Sequence, residues 1–164
     1  MAEFTTFYLR VLTNNLIKMN EEIFPTIYNK ALDIISRREH SEKEVRDKLI
    51  IKFDERDIIE SVIEKLKQNS LIDDSRYAEM YTRARKRKGF GPKRIAYELN
   101  FRGVSESLSS IAIDEEGGWT EAVKNVFNKK FKDGISGDFK GKAKQKSFLQ
   151  NRGFSFKEID SIFS

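Results

Sequence analysis

Side chains that commonly perform acid–base, nucleophilic or metal chemistry are scarce in this sequence. Cysteine is absent and His40 is the single histidine among 164 residues, which excludes disulfides, thiolate metal sites and zinc sites built on several histidines. Adjacent acids at 21–22, 73–74 and 115–116 lack the flanking base, nucleophile or ligands that catalysis requires. Gly89-Phe90-Gly91 follows no predicted strand, so it is no phosphate loop. The sequence predicts no enzyme, cofactor or metal site, and His40 is interpreted as an ordinary surface residue.

Basic residues are the stronger candidates for function, because they are unevenly distributed along the chain. The net charge is +5. Residues 81–104 contain eight Lys or Arg against one acid, Glu98, and residues 120–153 contain nine against three. Such asymmetry favours an acidic protein partner or nucleic acid. The predicted binding residues are Arg76, Arg83, Arg85, Lys86, Arg87, Lys88, Lys93, Arg94, Arg102, Lys144 and Arg152.

Several of these cations also have a structural interpretation. A cation near a helix C-terminus is favoured by roughly 0.3–1 kcal/mol, which accounts for one or two members of the run at 83–88. Arg94 and Arg102 lie two turns apart with Glu98 between them, so an intrahelical ion-pair ladder is an alternative to partner binding. The lysines at 140–146 can equally form a solvated surface.

Aromatic residues near the basic segments could stack on the bases of single-stranded nucleic acid. The candidates are Phe90, Trp119, Phe139 and Phe154. Packing in a core or between repeats is the favoured interpretation for three of them. Phe90 is the exception, because it lies between two glycines beside the basic run and is expected to be exposed.

The elements that carry these residues recur with a period of 50 residues. Shifting the chain by 50 aligns it with itself without gaps from about residue 27, so that Leu49, Leu99 and Leu149 coincide. Each period predicts three helices, and units this small gain stability by stacking on their neighbours. The predicted fold is therefore all-α, with three tandem three-helix repeats in an elongated, curved array. The expected segments are an N-terminal extension at 1–25 and repeats at 26–70, 71–117 and 118–164.

Helix boundaries follow from capping residues. Ser41 with Glu44, and Ser155 with Glu158, have the capping-box spacing, Asp54 is predicted to cap the third helix, and Gly103 suits a left-handed helix end. Residues 115–118 are predicted to be a linker. A flexible loop is expected at 132–141, with the next helix starting near Lys142. The apolar positions between Phe4 and Leu16 predict an extra helix, although a mobile extension fits as well.

Several strings resemble those of the RecX family. They are Leu71-Ile72-Asp73-Asp74-Ser75-Arg76-Tyr77-Ala78, Lys88-Gly89-Phe90-Gly91-Pro92-Lys93-Arg94-Ile95, Arg102-Gly103-Val104, Ala31-Leu32 with Ser36-Arg37-Arg38, and Phe148-Leu149 with Arg152-Gly153-Phe154. Their order and spacing cover roughly residues 26–163. Ser70 departs from the glycine that usually precedes the leucine at 71.

The resemblance implies three three-helix repeats, no catalytic site, and a role in DNA repair, homologous recombination and the SOS response. It implies a protein that binds the RecA–single-stranded DNA filament and suppresses its ATPase, strand-exchange and coprotease activities. One alternative is a direct DNA-binding helical module that competes for DNA. Another is a scaffold whose charge only confers solubility. With no apolar run long enough to span a membrane, a cytoplasmic monomer is expected.

Overall fold

The structure is a computed structural model, and it describes residues 22–164. Within that range the chain is helical and contains no strand, which confirms the predicted all-α repeat fold. The expected extra helix between Phe4 and Leu16 lies outside the described residues. The helices are α1 (22–35), α2 (Glu42–Ile50), α3 (Arg56–Gln68), α4 (Asp74–Arg87), α5 (Pro92–Phe101), α6 (Glu106–Glu116), α7 (Trp119–Lys130), α8 (Phe139–Asn151) and α9 (Phe156–Phe163).

The helices form two compact units, one ending at Asp73 and one covering Asp74–Ser164. The first unit holds one apolar core, to which α1, α2 and α3 all contribute. The second unit holds two cores, one formed by α4–α6 and one by α7–α9, and Trp119 packs against both. No helix among the described residues is long and apolar enough to cross a membrane.

Capping residues set most helix boundaries as the sequence predicts. Ser41 accepts a hydrogen bond from the Glu44 N–H, and Ser155 and Glu158 form the full reciprocal capping box. The prediction that Asp54 caps α3 is wrong, since the N-cap is Glu55, which makes no side-chain capping bond. The Asp54 carbonyl instead accepts from the Arg56 N–H at 2.9 Å, so a tight turn precedes the helix.

Two connections are shorter than the sequence suggested. Helix α6 continues through Glu116, so the predicted linker at 115–118 shrinks to two glycines with positive φ. Helix α8 starts at Phe139, earlier than the predicted Lys142, because Asp138 accepts a hydrogen bond from the Gly141 N–H and caps it. The expected packing of Phe139 is also wrong, because its side chain is 89% exposed.

The start of α5 and the end of α8 meet through glycine backbones. The Gly91 N–H donates to the Arg152 carbonyl at 2.8 Å, and the Lys93 N–H donates to the Gly153 carbonyl at 3.0 Å. A Cβ built on Gly91 would lie 2.5 Å from the Gly153 carbonyl carbon, closer than two such atoms can approach. The absence of side chains at both positions therefore lets the second and third helix triplets dock.

His40 is buried, with 3% of its surface exposed, which corrects its interpretation as a surface residue. Its Nδ1 lies 2.8 Å from the Arg38 carbonyl oxygen. Because a carbonyl oxygen only accepts hydrogen bonds, Nδ1 carries the proton and donates. The imidazole thereby closes the turn between α1 and α2, a role that its polar sequence neighbours do not indicate.

The burial of His40 makes the stability of the folded protein depend on pH. Burial lowers the pKa of His40, against the opposing effect of the bond to the Arg38 carbonyl. Because the unfolded chain then binds a proton more readily than the folded one, the free energy of unfolding should fall as pH drops below about 6.5. We expect a loss of about 1 kcal/mol or less between pH 7.5 and 5.5 in urea unfolding. His40→Asn, whose amide can donate the same bond, should abolish this slope, and an unchanged slope would contradict the assignment.

Candidate functional site

A basic groove lies where the ends of α4, α7 and α8 converge. Its cavity volume is about 790 Å³. We define the basic groove by five cations that line it, Arg87, Lys88, Lys129, Lys130 and Arg152. Ala122, Val126 and Phe148 supply apolar lining, while Glu116 and Glu121 are the acids of its wall. Cations therefore outnumber acids on a surface that also offers aromatic contact.

Local backbone features bring these cations together. Helix α4 ends at Arg87 and the chain turns at Gly89, whose φ is +81° and where an added Cβ would lie 3.0 Å from Val126. On the facing element, Arg152 caps the C-terminal end of α8 and its Nη1 lies 3.4 Å from the Lys88 carbonyl oxygen. The groove therefore depends on the docking of the second and third helix triplets.

Most of the groove cations are available to a partner. Arg87, Lys88, Lys129 and Lys130 are exposed and form no ion pair with any residue of 22–164. Lys130 lies 5.9 Å from the centroid of the Phe148 ring, and Arg152 lies 5.2 Å from it. An anion entering the groove would therefore meet several charges that no acid of the described residues, 22–164, neutralises through an ion pair.

Lys86 also lines the cavity of the groove, but its contacts give it a structural role. Its Nζ lies 3.2 Å from the Glu116 carboxylate and 2.8 Å from the Gly117 carbonyl oxygen. It also lies 5.2 Å from the centroid of the Trp119 ring. Arg83 is 3.5 Å from the same Glu116 carboxylate. These contacts tie α4 to the junction between α6 and α7.

Phe90 is partly buried under guanidinium groups, which corrects the expectation of an exposed ring. The guanidinium carbons of Arg85, Arg94 and Arg152 lie 3.9, 4.5 and 5.2 Å from its centroid. Such cation–π contacts each contribute roughly 0.5–1 kcal/mol, and more when desolvated. Phe90 therefore gathers arginines from α4, α5 and the end of α8 around one ring.

Glu98 neutralises part of this arginine cluster. Its carboxylate accepts two hydrogen bonds of 2.6 Å from Arg85, one of 3.0 Å from Arg94 and one of 2.9 Å from the Tyr81 hydroxyl. Burial opposes ionisation of Glu98, but these donors outweigh it and leave its pKa below the ordinary value. The predicted pairing of Glu98 with Arg94 is confirmed. Pairing with Arg85, thirteen residues earlier, does not follow from the sequence spacing.

The other predicted binding residues are dispersed. Arg76 lies in the first turn of α4 and Lys144 is exposed on α8. Lys93 lies 5.5 Å from the Phe156 ring centroid, and Arg102 lies 4.8 Å from that of Tyr81. None of these four lines the groove. Among residues 22–164, no cluster of three or more His, Cys, Asp and Glu could hold a metal ion.

Two groove residues, Lys129 and Lys130, were not singled out from the sequence. They lie in the last turn of α7, where a cation is favoured by the helix dipole without any partner. Only the convergence of α7 with the ends of α4 and α8 gives them a shared surface with Arg87. The excess of basic residues over 120–153 includes Lys129 and Lys130, but that excess does not distinguish them from the other seven cations of the segment.

Comparison with known proteins agrees with the helix triplets. Family models described as the first, second and third three-helix domains of RecX match residues 28–66, 73–113 and 120–163. A Regulatory protein RecX of Vibrio parahaemolyticus is 40% identical over 143 residues, covering 85% of this chain and 92% of that protein. One of Pseudomonas fluorescens is 36% identical over 135 residues, covering 82% and 87%.

A solved structure is also similar. The crystal structure of RecX from Lactobacillus salivarius superimposes with a TM-score of 0.74 at 27% sequence identity, covering 87% of this chain and 96% of that one. Fold and groove together define a tandem three-helix repeat protein that carries a basic groove. The family models span most of the chain in order, so the protein belongs to the RecX family of regulatory proteins.

Proposed function

We propose that the protein is a non-enzymatic negative regulator of RecA, which binds the RecA–single-stranded DNA filament and suppresses its ATPase, strand-exchange and coprotease activities. The observation that carries this proposal is the basic groove, a surface with four exposed cations that have no acidic partner within residues 22–164. Membership of the RecX family supplies the regulatory role. An acidic surface of the filament, or the DNA backbone that it carries, fits such a groove.

Charge in the groove is expected to act mainly on the rate of association. Long-range attraction steers an acidic partner towards a basic surface and weakens with salt. Lys86, Arg83, Arg85 and Arg94 also make ion pairs within the protein, so their contact with a partner stays a prediction. Arg76, Lys93, Arg102 and Lys144 are proposed as outer contacts.

RecA's single-stranded-DNA-dependent ATPase, titrated with this protein, tests the proposal. We expect inhibition well below one molecule per RecA, because a few bound copies would stop the turnover of many filament subunits. Inhibition only at concentrations that coat the DNA would favour competition for DNA. No inhibition at any ratio would overturn the proposed function for the RecA that was tested.

Removing the free charges should weaken that inhibition without unfolding the protein. We expect Arg87→Gln/Lys88→Gln/Lys129→Gln/Lys130→Gln to raise the half-inhibitory concentration at least tenfold, since several charge-assisted contacts are lost at once. Near-parental helicity and unfolding midpoint would show that the fold is intact.

A matched control removes the same charge elsewhere. Lys65, Lys132, Lys140 and Lys142 are exposed, lie outside the groove and make no ion pair within residues 22–164. Replacing these four by glutamine should change inhibition less than twofold. Equal losses in the two quadruple variants would mean that total charge, rather than the groove, governs inhibition.

Direct DNA binding is the second candidate, because unpaired cations above an apolar lining suit a phosphate backbone equally well. Affinity for bare DNA would then fall linearly with salt on logarithmic axes, with a slope that shrinks by about 0.7 for each single-strand phosphate contact removed. Parallel loss of DNA affinity and filament inhibition in the groove variant would favour this candidate.

A further inference from the structure

The turn between α1 and α2 forms a second cavity, contained within the first unit. Its volume is about 420 Å³. Five cations and a single acid line it, namely Lys30, Arg37, Arg38, Lys48, Lys52 and Asp33. The first repeat is nearly balanced in charge along the sequence, so this concentration of positive charge arises only when α1 and α2 fold together.

The charges of this cavity are unequally compensated. Lys30 and Arg37 share Asp33, at 2.8 and 3.5 Å, and Arg38 pairs with Glu44 at 3.1 Å. Lys48 and Lys52 are exposed and make no ion pair with any residue of 22–164. The cavity therefore keeps an excess of positive charge that an anion could neutralise.

His40 gives this cavity a buried polar wall. Its Nδ1–H is held by the Arg38 carbonyl at 2.8 Å, which fixes the tautomer and leaves Nε2 as the second polar atom of the ring. Within residues 22–164, Nε2 has no hydrogen-bond partner, although the residue is 97% buried and lines the cavity. A protonated Nε2 could donate to an anion, so the proton and an anion would bind cooperatively.

The corresponding positions of the second repeat are closed. A shift of 50 residues takes His40 to Phe90 and Lys48 to Glu98. Phe90 is covered by guanidinium groups and Glu98 accepts hydrogen bonds from Arg85 and Arg94. A smaller ring and a lysine at these two positions leave the first repeat with an open, positively charged cavity instead.

We propose that this cavity binds a phosphate-bearing ligand of nucleotide size, either a free nucleotide or one nucleotide of a nucleic acid strand. A phosphoryl group offers three acceptor oxygens for Arg37, Lys48 and Lys52 around the His40 ring. The cavity volume lies at the lower end of the range for small-ligand sites. A cavity of this volume is larger than a single carboxylate group needs. Ile51, 82% exposed at the cavity, supplies an apolar contact for the sugar or base.

The single histidine makes the test direct, because one imidazole Cε1–H signal in a tag-free protein reports on the cavity. We expect adenosine monophosphate to shift this signal saturably in NMR titrations and to raise the midpoint of the His40 pH titration by at least 0.5 units. Lys48→Gln/Lys52→Gln should abolish both effects, and the control Lys65→Gln/Lys132→Gln should retain them. No shift at millimolar nucleotide, or equal shifts in both variants, would overturn the proposal.

Two further probes identify the source of the phosphate. A twelve-residue oligothymidylate that shifts the signal at tenfold lower concentration than the mononucleotide would support a nucleic acid strand. A response to the mononucleotide alone would support a free nucleotide. A hexaglutamate peptide that shifts the signal as strongly as the mononucleotide would overturn the phosphate assignment in favour of a carboxylate partner. None of these outcomes depends on inhibition of RecA.

Discussion

Gly153→Ala is expected to lower the free energy of unfolding by about 3 kcal/mol and to weaken filament inhibition with it. Gly153 has a φ of +93°, which costs an L-residue about 1–2 kcal/mol, and its added Cβ would lie 2.4 Å from the Arg94 Cβ and 2.6 Å from the Arg94 nitrogen. Relief requires α5 and α8 to separate, because a backbone nitrogen cannot rotate away as a flexible side chain can. Overpacking of this kind costs a further 1–3 kcal/mol or so.

Gly134→Ala separates the two contributions. Gly134 also has a positive φ, +79°, but an added Cβ would meet no atom within 4 Å. Its substitution should therefore cost only about 1 kcal/mol. Urea unfolding of both variants gives the comparison, and the ATPase assay gives the effect on inhibition. Equal destabilisation by the two substitutions would show that the close contact with Arg94 contributes nothing to the change in the free energy of unfolding.

Local features of the fold could be predicted from the sequence, because they depend on neighbours within a few residues. Ser41 and Ser155 both cap helices as their spacing indicates, and Gly103 has the left-handed φ of +82° expected of a helix end. The prediction that Asp54 caps α3 is wrong because aspartate is common in turns as well as at helix N-caps. Here the backbone carbonyl of Asp54 accepts a hydrogen bond in the turn that precedes the helix.

Contacts between distant segments could not be predicted in this way. The 50-residue period pairs Gly103 with Gly153, yet it does not reveal that Gly153 approaches Gly91 across two helix triplets. His40 is flanked by polar residues, so its burial follows only from how α1 and α2 meet. Phe139 is apolar, as packed residues usually are, but its side chain faces solvent at the start of α8.

The basic run at 83–88 shows the same limit for the candidate site. Successive residues of α4 turn by about 100°, so the run is divided among three directions. Arg85 pairs with Glu98 and Lys86 pairs with Glu116. Arg87 and Lys88 line the groove and make no ion pair within residues 22–164. Glu98 lies thirteen residues after Arg85, and Glu116 lies thirty residues after Lys86. Such separations are beyond any local sequence pattern.

Glu98→Gln should be the most damaging charge substitution in the second unit, lowering the free energy of unfolding by about 2 kcal/mol. Arg85 and Glu98 are only 19% and 15% exposed, and breaking one partner of a fully buried pair costs roughly 3–5 kcal/mol, which partial exposure reduces. Glutamine keeps the shape and can still accept from Tyr81, but it no longer offsets three guanidinium groups around Phe90.

A double-mutant cycle isolates this interaction from general effects of charge. Arg85→Gln, Glu98→Gln and the double variant should give a coupling of about 1–3 kcal/mol in urea unfolding, whereas the same cycle with Arg87→Gln should give a coupling near zero. Because the pKa of Glu98 is lowered in the folded protein, the coupling should be present at pH 7 and decline as the carboxylate protonates below about pH 4.5. A coupling that persists unchanged at pH 3 would show that ionised Glu98 does not organise the arginine cluster.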